Sequence, residues 1–339
     1  MKRNALIDIA KGIGIILVVL GHLDTNGQIS REFIYSFHMP LFFFLSGIFA
    51  KTNLNFRQYL KKSFLSLYLP YFIFIIIDTI LFTAINIITH DSVIEYIKSN
   101  ALALVGFDFM AKNRVLWFLF ALFVIRIVYY FISKNSVVKY TAAVLCVGFV
   151  ILVSGEIINP ISNCLYLIAI PGMAFYILGS SVKKYVFKVY NLFENTNKYN
   201  ILTIFITMLL FIILIFTSHK NGNIDMTYYI YGNSLMYFVN ALIGCLLTLS
   251  VSLLLLKIKR ISNLLVFYGQ NTIVVYIFHY YICRLALPRF MGFVGLKNYL
   301  YHPITQLVAL IAVMLVMIPV IIVINRYFYF IFGKSKSKH

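Results

Sequence analysis

Charged residues are scarce in this sequence, and acidic residues are the rarest of them. Only 12% of the 339 residues are charged, with 10 Asp and Glu together, whereas 62% are hydrophobic. The mean hydropathy of +0.91 exceeds what a soluble core of this length could bury, so the composition excludes a soluble globular protein. Apolar stretches of about 18 or more residues recur along the chain, each long enough to cross a hydrocarbon core about 30 Å thick. We therefore predict an all-α, polytopic transmembrane helical bundle.

Cysteine patterns typical of metal sites or disulfide frameworks are also lacking. The four cysteines lie far apart, in or beside apolar segments: Cys146, Cys164, Cys245 and Cys283. They form neither a CxxC pair nor a mixed Cys/His spacing. We therefore interpret them as small packing residues and predict no metal site.

Basic clusters interleaved with aromatic residues are the third missing feature. The formal charge is +19, but Lys and Arg are spread over short loops and form no such face. This distribution argues against a nucleic-acid partner, and it reports membrane topology instead.

Ten apolar segments are candidate membrane spans. They lie near residues 5–23, 31–50, 66–89, 114–132, 138–154, 164–182, 200–218, 234–256, 264–287 and 303–332. An even number places both termini on one side, and the loops on this side carry more than twice as many Lys and Arg residues as the opposite loops. The positive-inside rule then predicts cytoplasmic termini and a multi-pass protein of the inner (cytoplasmic) membrane. We expect one membrane domain, 1–333, and a short basic cytoplasmic tail, 334–339.

The first span carries three ionisable residues, although a charge at the bilayer centre costs about 2.5–3.5 kcal/mol on insertion scales. Asp8, Lys11 and His22 fall within about 60° on one helix face, and His22 stands about 16.5 Å from Lys11 along the axis. A pantetheine arm has a comparable length, so Lys11 could hold a coenzyme A phosphate while the thioester lies near His22. The alternative is that Asp8 and Lys11 form an i,i+3 pair that lowers the insertion cost, and that His22 caps the helix end.

Two further spans carry histidines in the same leaflet. His38 lies just before Pro40 in the second span, and the short connection to the first span brings it towards His22. Tyr276 and His279, three residues apart, share a face of the ninth span. Each histidine alone is compatible with a core position, but the convergence of three predicts a polar cavity.

Several motifs of this chain together resemble a known family. They lie at residues 7–13, 18–22, 37–47, 69–71, 117–119 and 269–279. Their residues and order resemble the integral-membrane acyltransferase 3 family, especially its fucose 4-O-acetylase-like branch. Lys11 and His22 match the basic residue, ten-residue gap and histidine of that family. The resemblance implies a ten-helix enzyme without a tightly bound cofactor, which transfers an acyl group from cytoplasmic acyl-CoA to a hydroxyl of an envelope or exported glycan. We expect the acyl group to be acetyl and the donor substrate to be acetyl-CoA.

The resemblance and the residue chemistry together suggest roles for individual residues. We expect His22 to be the general base, because a neutral imidazole can take the proton of an attacking hydroxyl; a covalent acyl-histidine is the alternative. His38 is expected to orient His22 or to bind the developing oxyanion. The expected donor contacts are Asp8, Lys11, Arg57, Lys61 and Lys62, and the expected contacts of the carbohydrate acceptor are Arg114, Trp117, Tyr276 and His279.

Two alternatives stay open at the level of sequence. A transporter of a glycan or lipid-linked sugar would also suit ten spans, cationic loops and buried polar residues. No inverted repeat is visible, and the clustered face of the first span favours chemistry over transport. Arg114 and Trp117 could also be interface anchors that contact membrane lipid.

Overall fold

The protein is helical over most of the part of the chain that its structure, a computed structural model, describes. The described residues are 4–23, 28–89, 93–107, 114–157, 164–195, 200–293, 295 and 303–334. The helices are α1 Ala5–Leu23, α2 Gln28–Tyr35, α3 His38–Ile48, α4 Phe56–Ser63, α5 Leu69–Thr89, α6 Val93–Leu104, α7 Trp117–Ile132, α8 Ser136–Ser154, α9 Leu165–Asn195, α10 Asn200–Asn221, α11 Ser234–Leu255, α12 Lys259–Gln270, α13 Thr272–Tyr281, α14 Leu287–Phe293 and α15 Pro303–Tyr327. Two π-helical turns, Phe64–Tyr68 and Ile282–Ala286, and three short 3-10 turns, Arg114–Leu116, Met226–Tyr228 and Tyr329–Phe332, complete these elements.

Eight helices of the described ranges are long and apolar enough to cross a membrane. They are Ala5–Leu23, Phe56–Ala84, Ser136–Ser154, Leu165–Phe193, Ile201–Asn221, Ser234–Leu255, Thr272–Phe293 and Pro303–Tyr327. The prediction of an all-α polytopic membrane bundle is therefore confirmed. The cytoplasmic position of the termini stays a prediction, and of the proposed tail only Lys334 lies within the described residues.

Two of the ten predicted spans are shorter than a full crossing. The segment 114–132 contains α7, which has only 16 residues. The segment 31–50 is broken between α2 and α3. Pro40 explains this break, because in a continuous helix its ring would clash with the carbonyl of Ser36 and it has no N–H to donate there. In the first turn of α3 the missing N–H costs nothing.

The predicted ninth span, 264–287, has different bounds in the structure. The chain breaks at Asn271, whose φ of −117° and ψ of 20° are not helical. Its side-chain amide donates to the carbonyl oxygen of Phe267 at 2.8 Å and so caps the end of α12. The membrane-spanning candidate then begins one residue later, as Thr272–Phe293.

The chain forms two compact units, and α1 is central to the first of them. This unit comprises Met1–Phe49, Leu178–Asp225 and Ile230–Ile322. Within it, α1 packs against α2, α3, α11, α12 and α13. A Cβ atom at Gly12 would overlap the carbonyl of Leu265, and one at Gly269 would overlap the carbonyl of Asp8. The backbones of α1 and α12 are therefore in direct contact, which only glycine permits.

The second unit comprises Ala50–Ile177, Met226–Tyr229 and Val323–His339, and it includes α4 to α8. The hydroxyl of Tyr68 donates to the carbonyl oxygen of Leu104 at 3.0 Å, and that of Tyr71 donates to the carbonyl of Ala103. These carbonyls lie in the last turn of α6, where no intrahelical donor is available. The two tyrosines thus cap the C-terminal end of α6, which explains their buried or half-buried positions structurally.

Replacing Gly12 with alanine should destabilise the first unit by about 1–3 kcal/mol, because the added methyl group forces α1 and α12 apart. Thermal unfolding of the purified protein in detergent measures the effect. Gly148→Ala is the matched control, since nothing lies within 4 Å of the Cβ position at Gly148 in α8. Equal unfolding temperatures for the two variants would contradict the direct helix contact.

Candidate active site

The three ionisable residues of α1 have different surroundings. Asp8 is buried, and its Oδ2 accepts a hydrogen bond from Nε2 of Gln270 at 3.2 Å. The ammonium of Lys11 lies 4.9 Å from the centre of the Phe49 ring, a cation–π distance. Lys11 and His22 are both half-buried. The carboxylate of Asp8 therefore helps fasten α1 to α12, whereas Lys11 and His22 keep part of their surface accessible.

His22 is in ring contact with a histidine from another helix. The imidazole centroids of His22 and His279 lie 5.0 Å apart, and the ring planes are inclined by 46°. The ring of Tyr276 lies 6.0 Å from that of His279 on the same helix, α13. His279 has no exposed surface, so substrate access to this pair is from the side of His22.

The hydrogen bond of His279 to its own helix defines its tautomer. Nδ1 of His279 lies 3.0 Å from the carbonyl oxygen of Val275. A carbonyl oxygen can only accept, so Nδ1 carries the proton, and a neutral ring then has a bare lone pair on Nε2. Nε2 is buried and has no hydrogen-bond partner among the described residues. An unpaired buried acceptor is costly until a proton donor reaches it.

His38 has the same tautomer but a different neighbour. Its Nδ1 lies 2.9 Å from the carbonyl oxygen of Ile34, and its ring packs edge-on against Tyr35 at 4.8 Å. The hydroxyl of Tyr35 lies 3.5 Å from the carbonyl oxygen of Gly21, next to His22. A neutral His38 of this tautomer offers an acceptor at Nε2 and not a donor. This geometry fits an orienting or hydroxyl-accepting role better than the oxyanion role.

Two arginines near His22 were not singled out from the sequence. Arg31 on α2 is exposed, and its guanidinium carbon lies 5.0 Å from the centre of the Tyr35 ring. Arg284 is exposed in the second π-helical turn, which follows α13. Both guanidinium groups are close enough to His22 to act on it electrostatically. From the sequence they were loop charges, although the position of Arg284 inside an apolar segment was a usable signal.

The other expected donor contacts belong to the second unit. Arg57, Lys61 and Lys62 are exposed on α4, and Arg57 and Lys61 share one face of that helix with i,i+4 spacing. The side chain of Asn55 caps α4 by accepting from the backbone N–H of Gln58 at 2.9 Å. Asp8 and Lys11 lie in the first unit.

The expected acceptor contacts are also distributed over the two units. Tyr276 and His279 are in the first unit with His22, as described above. Trp117 is in the second unit, where it is buried at the start of α7 with its ring centroid 6.0 Å from that of Phe118. Arg114 begins the preceding 3-10 turn, and its side chain lies outside the described residues.

The family of the chain follows from its whole length and not from the histidines alone. A family model described as an acyltransferase domain, that of the acyltransferase 3 family, matches residues 4–326. No curated protein and no solved structure gives a significant match. The matched region contains α1 with Lys11 and His22, as well as α13 with His279. The chain is therefore a multi-pass membrane acyltransferase that belongs to the acyltransferase 3 family.

Proposed function

We propose that this acyltransferase is an O-acetyltransferase of the inner membrane, in the fucose 4-O-acetylase-like branch of its family. It transfers an acetyl group from cytoplasmic acetyl-CoA to a hydroxyl of an envelope or exported glycan. The observation that carries the proposal is the contact between the half-buried imidazole of His22 and the fully buried imidazole of His279. In this pair, substrate can reach His22 as the base, whereas solvent cannot reach its partner His279.

His22 is the general base in this proposal. A sugar hydroxyl is a poor nucleophile near neutral pH unless its proton is removed as it attacks, and a neutral imidazole suits that step. Of the two imidazoles in ring contact, His22 alone keeps exposed surface, because His279 is 0% exposed. The acceptor hydroxyl therefore meets His22 and not His279.

His279 is the positioning residue. Its Nε2 lone pair accepts a hydrogen bond from one ring N–H of His22, which leaves the second ring nitrogen of His22 as the base. The bond to Val275 supports this role, because it keeps the proton on Nδ1 of His279. Catalytic hydrogen bonds are often long without substrate and shorten when it binds, so a ring separation of 5.0 Å is compatible with this contact.

The proposed reaction has two steps. The acceptor oxygen bonds to the thioester carbonyl carbon while His22 takes the hydroxyl proton. The tetrahedral intermediate then collapses, the carbon–sulfur bond breaks, and the departing thiolate takes the proton from the His22 imidazolium. The products are an O-acetyl ester and coenzyme A, and His22 returns to its neutral form.

The donor is proposed to bind along α1. Lys11 and His22 are 11 residues apart on one helix, which corresponds to about 16.5 Å of axial rise. A thioester at His22 would thus place the phosphate end of coenzyme A near Lys11. The exposed cations of the second unit, Arg57, Lys61 and Lys62, stay predicted donor contacts.

The experiment that tests this function also distinguishes an acyltransferase from a transporter. The purified protein is reconstituted into lipid vesicles with labelled acetyl-CoA on one side and envelope glycan from the source cells on the other. We expect free coenzyme A thiol and base-labile acetyl ester on the glycan to appear in equal amounts. Glycan crossing the membrane without release of thiol would overturn the proposal in favour of transport.

A further inference from the structure

Arg284 occupies an unusual place in the first unit. It lies in the middle of the π-helical turn Ile282–Ala286, inside the membrane-spanning candidate Thr272–Phe293. This turn directly follows α13, which carries His279, and it contacts α1, which carries His22. Charged residues within a span are costly, and π-helical turns are often found at functional sites. Both facts call for a functional reason for Arg284.

Arg31 approaches the same histidines from α2. Its guanidinium is held over the ring of Tyr35 at 5.0 Å, and the same ring packs against His38 at 4.8 Å. The hydroxyl of Tyr35 reaches to 3.5 Å from the carbonyl oxygen of Gly21, the residue before His22. The ring of Tyr35 therefore contacts both the guanidinium of Arg31 and the imidazole of His38. The cation–π contact limits the positions of the guanidinium while leaving its N–H groups available.

The acidic residue beside Arg31 on α2 contacts a histidine of another helix. Glu32, beside Arg31 on α2, is 2% exposed, and its Oε2 lies 2.7 Å from Nδ1 of His219 on α10. Within the described ranges, the guanidinium groups of Arg284 and Arg31 both act electrostatically on His22. The proposed base therefore lies near two cationic side chains.

We propose that the acceptor is an anionic glycan, and that Arg31 and Arg284 bind its phosphate or carboxylate group beside the hydroxyl that is acylated. A guanidinium presents a planar fork of N–H donors that matches either anion, and such charge-assisted hydrogen bonds orient as well as attract. The anion would pair with the two guanidinium groups near His22. This inference rests on the acyl transfer proposed above and names its acceptor class.

The first test changes the charge of the acceptor. Envelope glycan from the source cells is used untreated, with its carboxyl groups reduced to alcohols, or with its phosphate removed by hydrofluoric acid. The reconstituted protein is given each glycan with labelled acetyl-CoA. We expect one of the two treatments to abolish acetylation, and the effective treatment identifies the anion. Full acetylation of both treated glycans would overturn the inference, whereas no transfer to untreated glycan would overturn the proposed function itself.

The second test changes the arginines. Arg31→Gln and Arg284→Gln should each raise the KM for untreated glycan by about tenfold or more and leave kcat and the KM for acetyl-CoA unchanged. Arg284→Lys keeps the charge but not the fork, so it should raise the same KM less. Arg289→Gln is the matched control, because Arg289 is also exposed but donates from Nη1 to the carbonyl oxygen of Leu285 at 2.8 Å. A fall in kcat without a change in the glycan KM would refute acceptor binding.

Discussion

Replacing His22 with alanine should lower the rate of acyl transfer by about 10²–10⁴-fold, because the attacking hydroxyl then has no general base. The rate is measured as base-labile acetyl ester formed on the glycan, at equal protein abundance in the membrane. His22→Gln should be nearly as inactive, since an amide is polar but cannot take the proton. The fold should persist in both variants, because His22 is half-buried at the end of α1.

Lys11→Ala provides the contrast on the same helix. Lys11 is assigned to the donor, so its loss should raise the KM for acetyl-CoA and leave most of kcat intact. Two variants of one helix face would thus differ in the kinetic parameter that they change. Wild-type ester content with His22→Ala would remove His22 from the catalytic assignment and return it to a helix-end role.

The face of α1 could be predicted from sequence because helix geometry alone determines it. Asp8, Lys11 and His22 lie on one unbroken helix, and the angle between residues follows from their spacing. The same reasoning placed the second and ninth spans but not their breaks. The breaks depend on a proline clash at Pro40 and on a non-helical backbone at Asn271, which hydropathy does not register.

The sequence predicts that His22, His38 and His279 converge, but it could not predict which of the two other rings contacts that of His22. The short loop between the first two spans favoured His38, but loop length reports only which helices are neighbours in sequence. In the structure α13 packs against α1. The glycine contacts between α1 and α12 hold the helix that directly precedes α13 in the chain. Only the packing of distant helices reveals that the ring of His279 lies against the ring of His22.

The arginines illustrate a second limit of sequence reasoning. Arg31 and Arg284 lie near the ends of predicted spans, where Lys and Arg usually report topology. Their nearness to His22 depends on the short helix α2 and on the π-helical turn Ile282–Ala286. A π-helical turn adds one residue to a helical turn and changes the direction of the side chains after it, and no periodicity in the sequence indicates it.

The second large effect is expected at His279. Replacing it with leucine puts an apolar side chain in the buried site and removes the unpaired Nε2 atom that we propose to position His22. We expect kcat to fall by about 10²-fold, because a catalytic group displaced by about 1 Å can lose that much rate. The KM for acetyl-CoA should stay unchanged. Steady-state kinetics of the reconstituted protein measure both parameters.

His279→Gln separates positioning from packing. The side-chain oxygen of glutamine reaches about as far as Nε2 of histidine and accepts a hydrogen bond, so this variant should recover a large part of the kcat lost with leucine. A merely structural role predicts the opposite order, because a buried amide with an unsatisfied N–H is worse tolerated than leucine. Higher activity of the leucine variant, at equal abundance of the two proteins, would therefore exclude His279 as the residue that orients His22.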